Sequence, residues 1–133
     1  MAIATVSLGP LTVVPTLTAL EPIAAGSAVA VLSTGIQLCS ATEDVQRFVG
    51  FAVKDCVIGE IVPIFSSRGE VIVPVIEGGG TLTPGRDVFL SSTRGCVSTT
   101  GPAPGVATFI LRVGVAYSPT EFVLITDIRT NLR

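Results

Sequence analysis

Proton transfer near neutral pH is most often the work of histidine, and this chain of 133 residues has none. Ser-His-Asp and Cys-His nucleophile pairs are therefore excluded, as are zinc and iron sites that need an imidazole ligand. Three cysteines, Cys39, Cys56 and Cys96, are too far apart for a C-x-x-C motif and read as small buried hydrophobes in a reducing compartment. The one lysine, Lys54, precedes Asp55; on a strand the two would point to opposite sides, and a solvated turn explains them better. The carboxylates of Glu43, Asp44, Asp55, Glu60, Glu70, Glu77, Asp87, Glu121 and Asp127 fall mostly at strand ends and turns, a placement that serves solubility. A catalytic carboxylate pair would also need an aromatic-lined cleft to hold a sugar. Gly78-Gly79-Gly80 has no lysine or helix start after it, so it reads as a connector rather than a phosphate loop. The expectation is a protein that is not an enzyme and has no catalytic residues, metal, cofactor or small-molecule substrate.

Surface chemistry narrows the partners. Seven arginines are spread from Arg47 to Arg133 against ten acids, giving a net charge of −2 and no basic stripe for a phosphate backbone. With no tryptophan and a single tyrosine, Tyr117, stacking platforms for bases or sugars are missing as well. Hydrophobic residues make up 48% of the chain before glycine is counted, and charged residues only 14% against a usual ~25%. One small domain has too little interior for so much apolar surface, so part of it should lie under a partner. Prolines and glycines break the two long uncharged stretches, residues 1–20 and 22–42, and no basic segment precedes the first. A soluble protein, with no nucleic acid or membrane partner, is expected.

The elements that carry these residues repeat. Gly26-Ser-Ala-Val-Ala-Val-Leu-Ser-Thr-Gly35, Gly59-Glu-Ile-Val-Pro-Ile-Phe-Ser-Ser-Arg-Gly69 and Gly85-Arg-Asp-Val-Phe-Leu-Ser-Ser-Thr-Arg-Gly95 share a turn glycine, an alternating strand and a Ser/Thr turn. Val29, Val62 and Val88 match, as do Val31, Ile64 and Leu90, and their alternation puts each pair on one face, read as the core face. Gly35, Gly69 and Gly95 stand where a hairpin turn asks for positive φ, so three hairpins are predicted. A second echo joins Arg47-Phe-Val-Gly-Phe-Ala-Val to Arg112-Val-Gly-Val-Ala-Tyr.

Two related halves follow, about residues 22–65 and 80–127, joined through Val71–Ile76 and the Glu77–Gly80 loop. The fold class is all-β: a small β-barrel, β-tulip-like or sandwich domain built from two pseudo-repeated halves. Residues 41–48 offer at most one or two helical turns. Pro63 and Pro74 interrupt strand-like runs and belong on edges or interfaces, because proline cannot donate to a ladder. Residues 1–21 read as an extended N-terminal arm, 22–127 as the domain and 128–133 as a polar tail. Within the arm, Leu8, Pro10, Leu11, Val13, Val14, Pro15 and Leu17 are candidates for docking on another protein; the alternative is an edge strand of the same domain.

The order of motifs resembles the small capsid decoration (cement) proteins of tailed bacteriophages. The residues that carry the resemblance are Gly50-Phe-Ala-Val-Lys-Asp-Cys-Val-Ile-Gly59-Glu-Ile-Val-Pro-Ile, Arg68-Gly-Glu-Val-Ile-Val-Pro74, Pro84-Gly-Arg-Asp-Val-Phe-Leu, Gly95-Cys-Val-Ser-Thr-Thr and Val113-Gly-Val-Ala. Together they span about residues 20–127. Arg86-Asp87 stands where that family has Gly-Asp, Cys56 replaces a common alanine, and the arm is longer than the family accounts for. The resemblance implies a structural virion protein, commonly a homotrimer, that is made in the host cytoplasm and sits on the capsid exterior. Its implied partners are the major capsid protein, which it would clamp to its neighbours, and copies of itself. A phage fibre, spike or tail-tip domain is the nearest rival, but elongated repeats and a coiled coil are missing. A carbohydrate-binding module would need the aromatic platform this chain lacks.

Overall fold

The structure, a computed structural model, describes residues 18–41, 47–99 and 111–125. The arm candidates Leu8, Pro10, Leu11, Val13, Val14, Pro15 and Leu17, the polar tail and most of the helical candidate at 41–48 lie outside these residues. The protein is all-β, with two antiparallel sheets, one of them curled into a half-barrel. Its strands are β1 (Ala28–Leu32), β2 (Gly35–Leu38), β3 (Phe48–Ala52), β4 (Ile64–Phe65), β5 (Val71–Ile72), β6 (Asp87–Leu90), β7 (Val97–Ser98), β8 (Arg112–Ala116) and β9 (Phe122–Leu124). The first sheet runs β2-β1-β3-β4 and the second β5-β9-β8-β6-β7.

The echo in the sequence is a duplication in space. β1 pairs with β3 through Val29 opposite Gly50, then skips a residue so that Ala30 meets Phe48. β6 pairs with β8 through Val88 opposite Gly114, with the same skip bringing Phe89 to Arg112. Each such bulge leaves one strand a residue ahead and sharpens the twist that curls the sheet. The turns entering β1 and β6 also match. Ser27 N–H donates to Ala24 C=O and Arg86 N–H to Thr83 C=O, each at 3.1 Å, while Gly26 and Gly85 bond Ala52 and Ala116 at 2.8 and 2.7 Å.

Both halves start earlier than their sequence pattern suggests. Ala19 lies parallel to Ile36 of β2, and Ile76 lies parallel to Val97 of β7, so 18–20 and 75–76 are corresponding closing segments. Residues 18–21 thus sit in the domain rather than in a separate arm. The Val71–Ile76 segment belongs to the second half instead of linking the two.

Two of the three predicted hairpins form, β1–β2 and β6–β7. The turn at Gly69, whose φ is +91°, is a crossover: β4 stays in the first sheet, and β5 pairs with β9 in the second. Gly95 holds φ +79° in its turn. Gly35 opens β2 opposite Leu32 at a more extended φ of +156°, and a Cβ there would lie 2.6 Å from Thr18 O, so close approach of the closing segment demands glycine. Pro63 stands just before β4 and Pro74 just after β5, both outermost strands among the described residues.

Each half has its own core from matching positions. Ile23, Val29, Ile36, Val49, Ala52 and Ile64 cluster in the first; Leu82, Val88, Val97, Val113, Ala116 and Phe122 cluster in the second. The other face of the first sheet, with Ala28, Ala30, Phe48 and Phe51, packs onto the second core. Phe51 is the keystone, edge-on to Phe48 at 5.4 Å and to Phe122 at 5.3 Å. All five β3 residues are buried as a result. The predicted core face therefore divides: Val88 and Leu90 line the larger core, whereas Val29, Val31, Val62 and Ile64 line or abut the smaller one.

Candidate functional site

The loop between β3 and β4 differs most from its counterpart in the other half. A tight turn at 57–60 is built by Glu60, whose Oε1 accepts the Val57 N–H at 2.8 Å and whose own N–H donates to Val57 C=O at 3.0 Å. Gly59 supplies φ +91°, with open space around it. The loop is tied down at its base. Asp55 Oδ1 accepts the Ala25 N–H at 2.8 Å, and Cys56 exchanges two backbone bonds with Ile23 at 2.8 and 2.9 Å. Ala19 N–H donates to Glu60 C=O at 2.8 Å, which presses the loop onto the closing segment.

This scaffold holds aliphatic side chains out into solvent. Val57 and Ile58 are each 64% exposed and Ile61 is 61% exposed, with Val53 and Leu20 partly exposed nearby in the chain fold. The corresponding loop of the second half, 117–121, carries Tyr117, whose hydroxyl donates to Glu121 at 2.8 Å, and polar residues. An exposed aliphatic tip on a braced turn has no role in the core; covering it would remove apolar area from water without first ordering the loop. The residue-by-residue reading missed these side chains. Two aliphatics directly before Gly59, at turn rather than strand positions, were the available signal.

The charged groups act structurally. Lys54 lies 3.8 Å from Glu60, not against Asp55. Arg94, in the β6–β7 turn, grips both Glu21 oxygens at 3.0 and 2.6 Å and also donates to Leu38 C=O at 3.3 Å. Leu38 N–H donates to Glu21 at 3.0 Å, so one ion pair staples the first closing segment, β2 and the second half together. The Arg94 hydrogen bonds, helped by Leu38 and opposed by burial, hold the Glu21 carboxyl below its ordinary 4.5. A depressed native value means that this stability is present above the unfolded value and lost as pH falls through the native one. Urea midpoints measured from about pH 6 to about pH 3 should therefore fall, and Glu21→Gln should flatten that part of the profile.

All three cysteines are buried. Burial pushes the Cys56 and Cys96 thiols above their ordinary range, away from nucleophilic thiolate. Among the described residues, no group of three or more Cys, Asp or Glu is arranged to hold a metal ion, and no helix is long and apolar enough to cross a membrane. A shallow open depression lies beside Gly85, Arg86, Asp87, Phe89 and Thr99. No family model matches the chain, and no curated protein is significantly similar to it.

Proposed function

We propose that this chain is a decoration protein that binds the outside of a tailed-phage capsid and stabilises contacts between major capsid subunits. The observation that carries the reading is the braced turn presenting Val57, Ile58 and Ile61, each more than 60% exposed. Cementing a shell asks for modest apolar contacts repeated many times, and it needs no reactive group. Thr18, the first described residue, is bridged to Ile61 beside this tip. Three copies acting together on the capsid exterior would multiply a weak single contact; light scattering reporting one chain, both free and on the shell, would remove the trimer from this proposal.

Expanded capsids assembled from the major capsid protein of the same phage provide the test. The protein should co-sediment with them. Replacing Val57, Ile58 and Ile61 together by serine should weaken retention by about 100-fold, from roughly 1 kcal/mol per covered side chain. The melting temperature of the free protein should stay nearly constant, since these side chains lie outside both cores. Undiminished retention of a folded triple variant would overturn the assignment of this surface.

A further inference from the structure

The chain contains the same turn twice. In Val57-Ile58-Gly59-Glu60 and in Ser67-Arg68-Gly69-Glu70 the glycine stands at φ +91°. In both, the glutamate N–H donates to the carbonyl of the turn's first residue, at 3.0 Å in the first and 3.1 Å in the second. In both, the glutamate Oε1 accepts that residue's N–H, at 2.8 and 2.7 Å. Each side chain thus reaches back across its own turn, as a capping-box glutamate does at the start of a helix. What the two turns present is opposite. The second carries Ser67 and Arg68, whereas the first carries Val57 and Ile58, each 64% exposed. The turn itself therefore does not call for aliphatic residues at 57 and 58.

Nor does the fold require them, as the duplication makes plain. β3 ends at Ala52 and β4 starts at Ile64, and these two residues pair; β8 ends at Ala116 and β9 starts at Phe122, and these pair in the same way. Eleven residues make the first connection and five the second. The short connection still does the structural work. Pro119 C=O accepts the Leu82 N–H at 2.8 Å, as Cys56 C=O accepts the Ile23 N–H at 2.9 Å, and Leu82 and Ile23 hold matching places in the two cores. The turn that follows Cys56 is thus an addition to the repeat, and it carries the exposed aliphatic side chains.

We infer that Glu60 is the positioning residue of the docking surface: it sets Val57 and Ile58 outward in the free chain, so that the tip enters an apolar socket of a folded protein partner as a preformed plug. This rests on the docking role proposed above for Val57, Ile58 and Ile61. A plug ordered beforehand loses little conformational freedom on binding, so the apolar area it covers is not offset by the ordering of the loop. The other carboxylate oxygen, Oε2, lies 3.8 Å from Lys54, and both side chains are about half exposed. An exposed pair of that kind is weak. The bond to the Val57 N–H, rather than the charge, does the positioning.

Glu60→Ala and Glu60→Gln in the full chain provide the test, each measured in two ways. Amide hydrogen exchange in the free protein reports on the turn. Val57 should exchange about 10-fold faster in Glu60→Ala, while Ser67 in the sister turn stays unchanged as the internal control. Glutamine keeps an Oε1 that can accept, so Glu60→Gln should bring Val57 back to within about 3-fold of the wild type. Retention on expanded capsids reports on the consequence. Glu60→Ala should be held about 10-fold more weakly although Val57, Ile58 and Ile61 are all intact, and Glu60→Gln should recover most of that loss. Unchanged Val57 exchange in Glu60→Ala would overturn the inference whatever the partner. Undiminished retention of a variant whose turn has loosened would overturn it too, as would a Glu60→Gln protein as weak as Glu60→Ala, which would assign the effect to the Lys54 pair. Wild-type protein that fails to co-sediment would instead overturn the capsid reading, and the exchange measurement would still decide for or against Glu60.

Discussion

Alanine at Gly114 should lower the unfolding free energy by on the order of 3 kcal/mol, the upper part of the overpacking range. A Cβ there would lie 2.2 Å from Val123 O and 2.5 Å from Phe122 Cδ2, and the first of these is backbone that cannot swing aside. Gly114 lies at the bulge of β8 beside β6 and opposite Leu124 of the adjacent β9, whose backbone and Phe122 ring crowd it. Gly50 repeats the arrangement, with a Cβ 2.2 Å from Phe65 O and 2.6 Å from Ile64 Cγ2, and adds the cost of φ +144°. Gly50→Ala should match or exceed Gly114→Ala. Gly59→Ala is the control, because φ is positive there but nothing lies within 4 Å, and its cost should be only about 1 kcal/mol. Urea midpoints of the three variants test this. A Gly114→Ala protein that unfolds with the wild type would mean that β9 does not pack against Gly114 as described.

Phe51→Ala should cost about 3–5 kcal/mol, the range for emptying an aromatic site in a core. Phe51 is fully buried and touches an aromatic ring from each sheet, Phe48 in its own and Phe122 in the other. Its removal therefore opens a cavity at the junction of the halves and deletes an aromatic contact between them. For a domain of this size the melting temperature should fall by about 10–20 °C. Phe51→Leu should recover more than half of that loss, since it refills volume but restores neither edge-on contact. Calorimetry on both variants would decide. A Phe51→Ala protein melting within about 2 °C of the wild type would show that the halves are held by other contacts.

Reading the chain residue by residue was enough for the all-β class and the duplication. These depend on local signals. Period-2 alternation in Ala28–Leu32 and Asp87–Leu90, and glycines at matched offsets such as Gly26 with Gly85 and Gly50 with Gly114, are written in neighbouring residues. The absence of histidine likewise removed imidazole chemistry before any folding was considered.

Strand partnership was decided only in three dimensions. The turn at Gly69 has the same local chemistry whether the chain doubles back or crosses over, and the outcome depended on β9, some 50 residues later, offering Val71 and Ile72 a free edge. The start of each half was hidden for the same reason, because Ala19 and Ile76 are defined by parallel bridges to distant strands and not by a pattern of their own. Glu21 and Arg94, 73 residues apart, meet because the β6–β7 turn reaches the first closing segment. Val57 and Ile58 directly precede the turn glycine Gly59; the hydrogen bonds of Glu60 fold them into a turn that the closing segment braces from below, and this leaves them in solvent. Periodicity fixes which way a side chain points relative to its own strand, whereas what lies on that side is set by chain packed there from elsewhere, and no local signal carries that information.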